Sequence, residues 1–123
     1  MILGIGIDLI EIERIKKACS KEAFLIRYFT LKERRCINGR AESAAGNFAV
    51  KEAVVKVFGT GFRGIEPKDI EVLRNTEGAP VINLYGSAKK KAEAMGIERL
   101  HVSITNTKVY ASAYVIGEGS GKE

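Results

Sequence analysis

From Ala41 to Phe58 the chain reads AESAAGNFAVKEAVVKVF, a helix-periodic run with no polar face wide enough to meet water. A helix that is apolar nearly all round has to be surrounded, so the rest of the chain must wrap around it. Gly59 supplies its C-terminal stop. At about 100° per residue, Glu52 falls between Ala45, Phe48 and Val55, which takes its carboxylate off any ordinary solvated face.

The flanking segments supply the wrapping. Met1 to Ile10, MILGIGIDLI, is β-rich and reads as a buried strand interrupted by Asp8. Helix signal runs from Glu11 to about Ser20, with Ile12, Ile15 and Cys19 on one face and Arg14, Lys17 and Lys21 on another. A short apolar stretch, Phe24 to Phe29, leads to Thr30-Leu-Lys-Glu33, a capping box that starts a helix at Leu31 and lets it run to near Gly39. Gly59 to Pro67 reads as loop. Ile70 and Val72 then alternate with Glu71, turn signals fill Asn75 to Pro80, and Val81 to Leu84 completes a hairpin. Ser87 to Met95 is a short basic helix closed by Gly96, and Leu100 to Thr105 pairs with Val109 to Ile116 around Asn106-Thr107-Lys108. This order predicts an α+β fold, a mostly antiparallel sheet packed around the long central helix, in one domain over residues 1–116. The tail GEGSGKE, residues 117–123, has no apolar anchor and is expected to be flexible.

A length of 123 residues suits one domain with its own core. Cys19 and Cys36 have no second Cys or His at a zinc-ligand spacing and read as reduced thiols. No basic leader and no apolar run of ~20 residues appears, so a cytoplasmic protein with no membrane partner is expected. The net charge is +5, and Glu11 to Arg35 holds eight Lys/Arg against four Glu. Such a face attracts nucleic acid, membrane or an acidic protein, and charge alone does not choose among them. His101 lacks the surroundings of a nucleophilic triad and reads as structural.

Asp8 and Glu52 sit where the pattern predicts burial, and a buried carboxylate needs a cation. Two arrangements provide one: an ion pair with Lys51, Lys56 or an arginine, or a shared hard metal ion such as Mg²⁺. Lys51 points about 100° away from Glu52, so the two meet different parts of one ligand. Gly59-Thr60-Gly61 is either a helix stop and turn or a loop whose backbone N–H groups face an anion.

Taken together, GIGIDLIEIERI (4–15), FTLKE (29–33), AGNFAVKEAVVKVFGTG (45–61) and HVSITNTKVYASA (101–113) resemble the holo-[acyl-carrier-protein] synthases, small bacterial 4′-phosphopantetheinyl transferases. The resemblance implies transfer of 4′-phosphopantetheine from coenzyme A to a serine of apo acyl carrier protein in fatty acid biosynthesis, releasing adenosine 3′,5′-bisphosphate. It implies Asp8 and Glu52 as Mg²⁺ ligands, with Glu52 or a water held by it as general base. Lys51, Gly59, Thr60, Gly61, Ser103, Thr105 and Asn106 fall at coenzyme A positions. Arg14 matches a carrier-protein docking position, and Lys17, Lys21 and Arg27 extend that positive surface. A homotrimer with coenzyme A between subunits is also implied.

Two residues depart from the pattern. Many relatives carry histidine at Asn106 and arginine at Asn47, so Asn106 cannot titrate near neutrality and Asn47 brings no cation to the phosphates. A catalytically weakened relative that still binds carrier protein or coenzyme A is therefore one competing reading. The other is a small RNA-binding module stacking bases on Tyr110 and Tyr114, which leaves Asp8 and Glu52 unexplained, so no nucleic-acid partner is expected.

Overall fold

The apolar run forms a helix with the predicted bounds and sits at the centre of a computed structural model that describes residues 1–121. In chain order the elements are β1 (Ile2–Glu11), α1 (Ile12–Cys19), α2 (Glu22–Tyr28), α3 (Leu31–Ile37), α4 (Ala41–Phe58), β2 (Ile70–Arg74), β3 (Pro80–Leu84), α5 (Gly86–Met95), β4 (Ile97–Asn106) and β5 (Tyr110–Gly119). The strands form two antiparallel sheets, β1-β5-β4 and the hairpin β2-β3. Among the described residues, no helix is long and apolar enough to cross a membrane.

The three-stranded sheet covers α4 with one face. Ala111, Ala113 and Val115 of β5 point inward and are fully buried against Ala49, Val50, Ala53 and Val57 of the helix. β1 lies closest of all, because Gly4 and Gly6 remove the side chains that would hold it off. A Cβ on Gly6 would collide with the carbonyl of Ala53, and one on Gly4 would come within 2.8 Å of the carbonyl of Val57. Gly6→Ala is therefore expected to destabilise the fold by about 3 kcal/mol, the upper range for overpacking, as read from urea unfolding. An unchanged midpoint would mean that β1 can lift from α4 freely.

Three expectations need correction, and one stretch to which the sequence assigns no element proves helical. β1 is buried on one face only: Ile5 and Leu9 are 66% and 64% exposed on the other, beside Ile7, Tyr110 and Tyr114. The Phe24 to Phe29 stretch is mostly helical, as α2, where Phe24 stacks on Tyr28 and Phe48 and so buries its aromatic faces. Lys21 is not on the first helix, which ends at Cys19; it is the N-cap residue of α2. The expected tail is ordered in part, since β5 runs on to Gly119, pairing Gly117 with Gly4 and Leu100. Lys122 and Glu123 lie outside the described residues.

Candidate active site

The glycine-lined approach of β1 to α4 sets Asp8 beside the outer edge of the helix. Lys56, one turn beyond Glu52, reaches across to it: Nζ donates to the Ile7 carbonyl at 2.7 Å and to Asp8 Oδ1 at 3.3 Å. The Asp8 side chain is 17% exposed and that of Lys56 is 51% exposed, so the pair lies at the surface. Ser112 on β5 donates to the Asp8 carbonyl at 3.0 Å and steadies the strand there.

Glu52 completes the cluster. Burial pushes its carboxyl above the ordinary range and the negative charge of Asp8 pushes the same way, while Lys56 and Arg14 pull it down. Two carboxylates close enough to repel and partly desolvated, with Lys56 and Arg14 beside them, make a compact site of oxygen ligands and cations that suits phosphate chemistry. The sequence offers Lys56 as one ion-pair partner for these carboxylates, and the contact with Asp8 is present; its spacing of four from Glu52 also places both on one helix face. Arg14, assigned to docking, is near enough to act on Glu52.

Lys51 is placed elsewhere, and its assignment to the phosphates is corrected. Its side chain is 0% exposed, and the ammonium donates to Glu33 Oε1 at 2.8 Å, to the Pro67 carbonyl at 3.0 Å and to the Ile70 carbonyl. Those three acceptors use all three donors of an ammonium, so none is left for a ligand. Burial pushes Lys51 down and Glu33 up, against their mutual attraction. Asn47 joins the same interior network, donating to Glu33 Oε2 at 3.2 Å and the Val72 carbonyl at 3.0 Å. It thus faces the core, and its lack of charge removes no phosphate contact within this chain.

Gly59-Thr60-Gly61 is first a helix stop. The Gly59 and Thr60 amides bond back to Lys56 and Val55, with Gly59 in the left-handed region at φ 75°. Thr60 lies about 12 Å along the helix axis from Glu52, given 1.5 Å per residue. Ser103 and Thr105 occupy the outward face of β4, while Asp8 belongs to the inward-facing row of the sheet. Asn106 is on that inward row, but at the end of β4, on the opposite edge from β1 and about two strand spacings, or ~10 Å, away. One chain thus gathers Asp8, Glu52, Lys56 and Arg14, and leaves Ser103, Thr105 and Asn106 apart on the far edge. Lys17, Lys21 and Arg27 are exposed on α1 and α2, with Arg27 over the Tyr28 ring at 5.8 Å.

Comparison with known proteins gives one consistent answer. A family model, the 4′-phosphopantetheinyl transferase superfamily, matches residues 4–115. A holo-[acyl-carrier-protein] synthase from Lachnoclostridium phytofermentans is 57% identical over 118 residues, covering 96% of this chain and 97% of the relative. Among solved structures, a holo-(acyl-carrier-protein) synthase from Bacillus anthracis in complex with CoA (3′,5′-ADP) superposes with a TM-score of 0.81 at 36% identity, covering 98% of this chain and 99% of that one. The Helicobacter pylori holo-[acyl-carrier-protein] synthase in complex with coenzyme A gives 0.83 at 33% identity, over 93% and 99%. With nearly the whole length matched and a carboxylate pair set between first strand and central helix, the chain belongs to the holo-[acyl-carrier-protein] synthases of the 4′-phosphopantetheinyl transferase superfamily.

Proposed function

We propose that this chain transfers 4′-phosphopantetheine from coenzyme A to a serine of apo acyl carrier protein, in the cytoplasm and in the service of fatty acid biosynthesis. The observation that carries the reading is the meeting of Asp8 and Glu52 in a chain 57% identical to a holo-[acyl-carrier-protein] synthase. The serine oxygen forms a bond to the β-phosphorus of coenzyme A as the bond to adenosine 3′,5′-bisphosphate breaks. Glu52, held above the ordinary carboxylate range, accepts the serine proton. Lys56, half exposed at the same spot, neutralises phosphate charge.

The donor set fits Mg²⁺. Two oxygen ligands that repel each other and face solvent suit a hard cation that takes one or two carboxylates and completes its shell from phosphate and water. Asp8 and Glu52 would hold it, and when bound it supplies charge neutralisation for the pyrophosphate and leaving group. Gly59, Thr60 and Gly61 are proposed to lie along the nucleotide.

The separation of Ser103, Thr105 and Asn106 from Asp8 supports a homotrimer. β1 and β4 are opposite edges of one sheet, so in a closed ring the β4 edge of one copy can meet the β1 site of the next. The outward face carrying Ile5, Ile7, Leu9 and Tyr114 offers the apolar surface such contacts need.

The decisive experiment mixes the protein with apo acyl carrier protein, coenzyme A and Mg²⁺, with an EDTA control, and weighs the carrier protein by intact mass spectrometry. A metal-dependent gain of one phosphopantetheine is expected; no gain with folded protein overturns the reading. Arg14→Glu is expected to raise KM for carrier protein roughly tenfold and flatten its salt dependence, with KM for coenzyme A unchanged. Because Arg14 also acts on Glu52, Lys17→Glu serves as the control: it should weaken carrier protein use without moving the pH profile. Equal loss toward both substrates would contradict the docking role.

A further inference from the structure

A cleft of about 240 Å³ opens between α1, the start of α2, the end of α3 and the first turn of α4, and it shares no residue with the Asp8–Glu52 site. Its floor is apolar, from Leu25, Ile37, Ala44 and the half-buried thiol of Cys19, while Lys16, Arg34 and Arg40 stand around it with no Asp or Glu among the lining residues. Arg40 already donates to the carbonyls of Ile37 and Cys36. Arg34 does not balance in the same way: its Nε–H is buried and, among the described residues, has no acceptor.

That Nε–H is out of reach of a ligand in the cleft, so Arg34 acts through the part of its guanidinium that lines the wall, a charge that is never lost. With Lys16 and Arg40 it makes the rim positive, and an anionic ligand gains most from it. The floor limits the choice further. A multiply charged, strongly hydrated anion gains nothing from Leu25 and Ile37, whereas each CH₂ buried there contributes about 0.8 kcal/mol. An apolar cavity of ~150 Å³ holds benzene, so 240 Å³ takes a chain of roughly eight carbons. We propose that this cleft binds a medium-chain aliphatic monocarboxylate, its tail on Leu25, Ile37 and Ala44 and its carboxylate on the cationic rim at Arg34.

The test is a titration of the full-length protein with octanoate and, separately, with uncharged 1-octanol, followed by backbone amide NMR. Saturable shifts centred on Cys19, Leu25, Ile37 and Ala44 are expected, with octanoate binding roughly tenfold tighter than the alcohol, the equivalent of one charge-assisted hydrogen bond. Arg34→Gln should erase that preference while leaving the circular dichroism unchanged. Ala44→Leu, which fills the floor, should abolish both ligands; should it not fold, Arg34→Gln still decides. Shifts centred on the outward sheet face at Ile5, Ile7 and Leu9, equal affinity for acid and alcohol, or no saturation at millimolar octanoate each overturn the proposal.

Discussion

Lys51→Ala is expected to melt on the order of 15 °C below the parent protein, corresponding to about 3–5 kcal/mol for breaking a buried charge pair from one side. Among the described residues, the Lys51 ammonium is the sole cation bonded to the Glu33 carboxylate, which is itself fully buried at the start of α3. Removing it strands that charge together with the carbonyls of Pro67 and Ile70, so three elements lose their common tie: α3, α4 and the segment leading into β2. Glu33 also accepts from the Thr30 amide at 3.1 Å, so helix capping and core ion pairing depend on one carboxylate. A double substitution, Glu33→Gln with Lys51→Met, removes both charges and should recover part of the loss, giving a favourable coupling when the four proteins are compared. Calorimetry separates this from a ligand-binding role. Were Lys51 a phosphate contact, Lys51→Ala would melt normally and raise KM for coenzyme A.

That residue also marks the limit of what the sequence can express. The direction of Lys51, about 100° around the helix from Glu52, follows from periodicity; what it meets there comes from residues 16 to 19 positions distant. Local signals were legible wherever they are complete in a few residues. The capping box at Thr30, the left-handed stop at Gly59, the β2-β3 hairpin and the strand partner of Val109 to Ile116 all formed where the residues indicated. α2 was less readable because its seven residues have no side-chain cap, and aromatic packing rather than propensity holds it.

Glycine misled in the tail and informed elsewhere. Gly117 and Gly119 read as flexible by composition, yet a Cβ at Gly117 would sit 2.9 Å from Val57 Cγ1, and one at Gly119 would meet the Gly96 carbonyl. Both are glycines of close approach, the same use made of Gly4 and Gly6 at the other edge of the pairing. For the candidate site, Asp8 and Glu52 stood out because each breaks an apolar pattern. Lys56 entered only as one of several candidate ion-pair partners, since an exposed lysine on a helix breaks no pattern. Ser103 and Thr105 alternate legibly with Val102 and Ile104, but which side of the sheet they face is set by the register with β5, a pairing that β4 alone does not encode.

Glu52→Gln should lower kcat by roughly 10³ or more while making the metal-free protein more heat-stable at neutral pH. The two effects share one cause. A carboxyl whose pKa is raised by folding contributes stability below its unfolded value, and that contribution is lost as pH rises through the folded value. Glu52 is raised, first by burial and then by Asp8, so at neutral pH its ionised form opposes folding. The amide keeps the shape without the charge and relieves that opposition, so Tm rises. Below the ordinary value of 4.5 the advantage should vanish, because Glu52 is then protonated in both states. Mg²⁺ should reverse the order, stabilising the parent at neutral pH by mass action and leaving Glu52→Gln nearly unmoved. Asp8→Asn supplies the cross-check: with the neighbouring charge gone, the Glu52 carboxyl resonance of metal-free protein should titrate at lower pH. In turnover, an acid limb reporting a base that must be deprotonated is expected, with kcat/KM falling as pH drops. Glu52→Gln with full activity, or with a lowered Tm and no response of the parent to Mg²⁺, would remove Glu52 from the chemistry and return the Asp8–Lys56 contact to an ordinary surface ion pair.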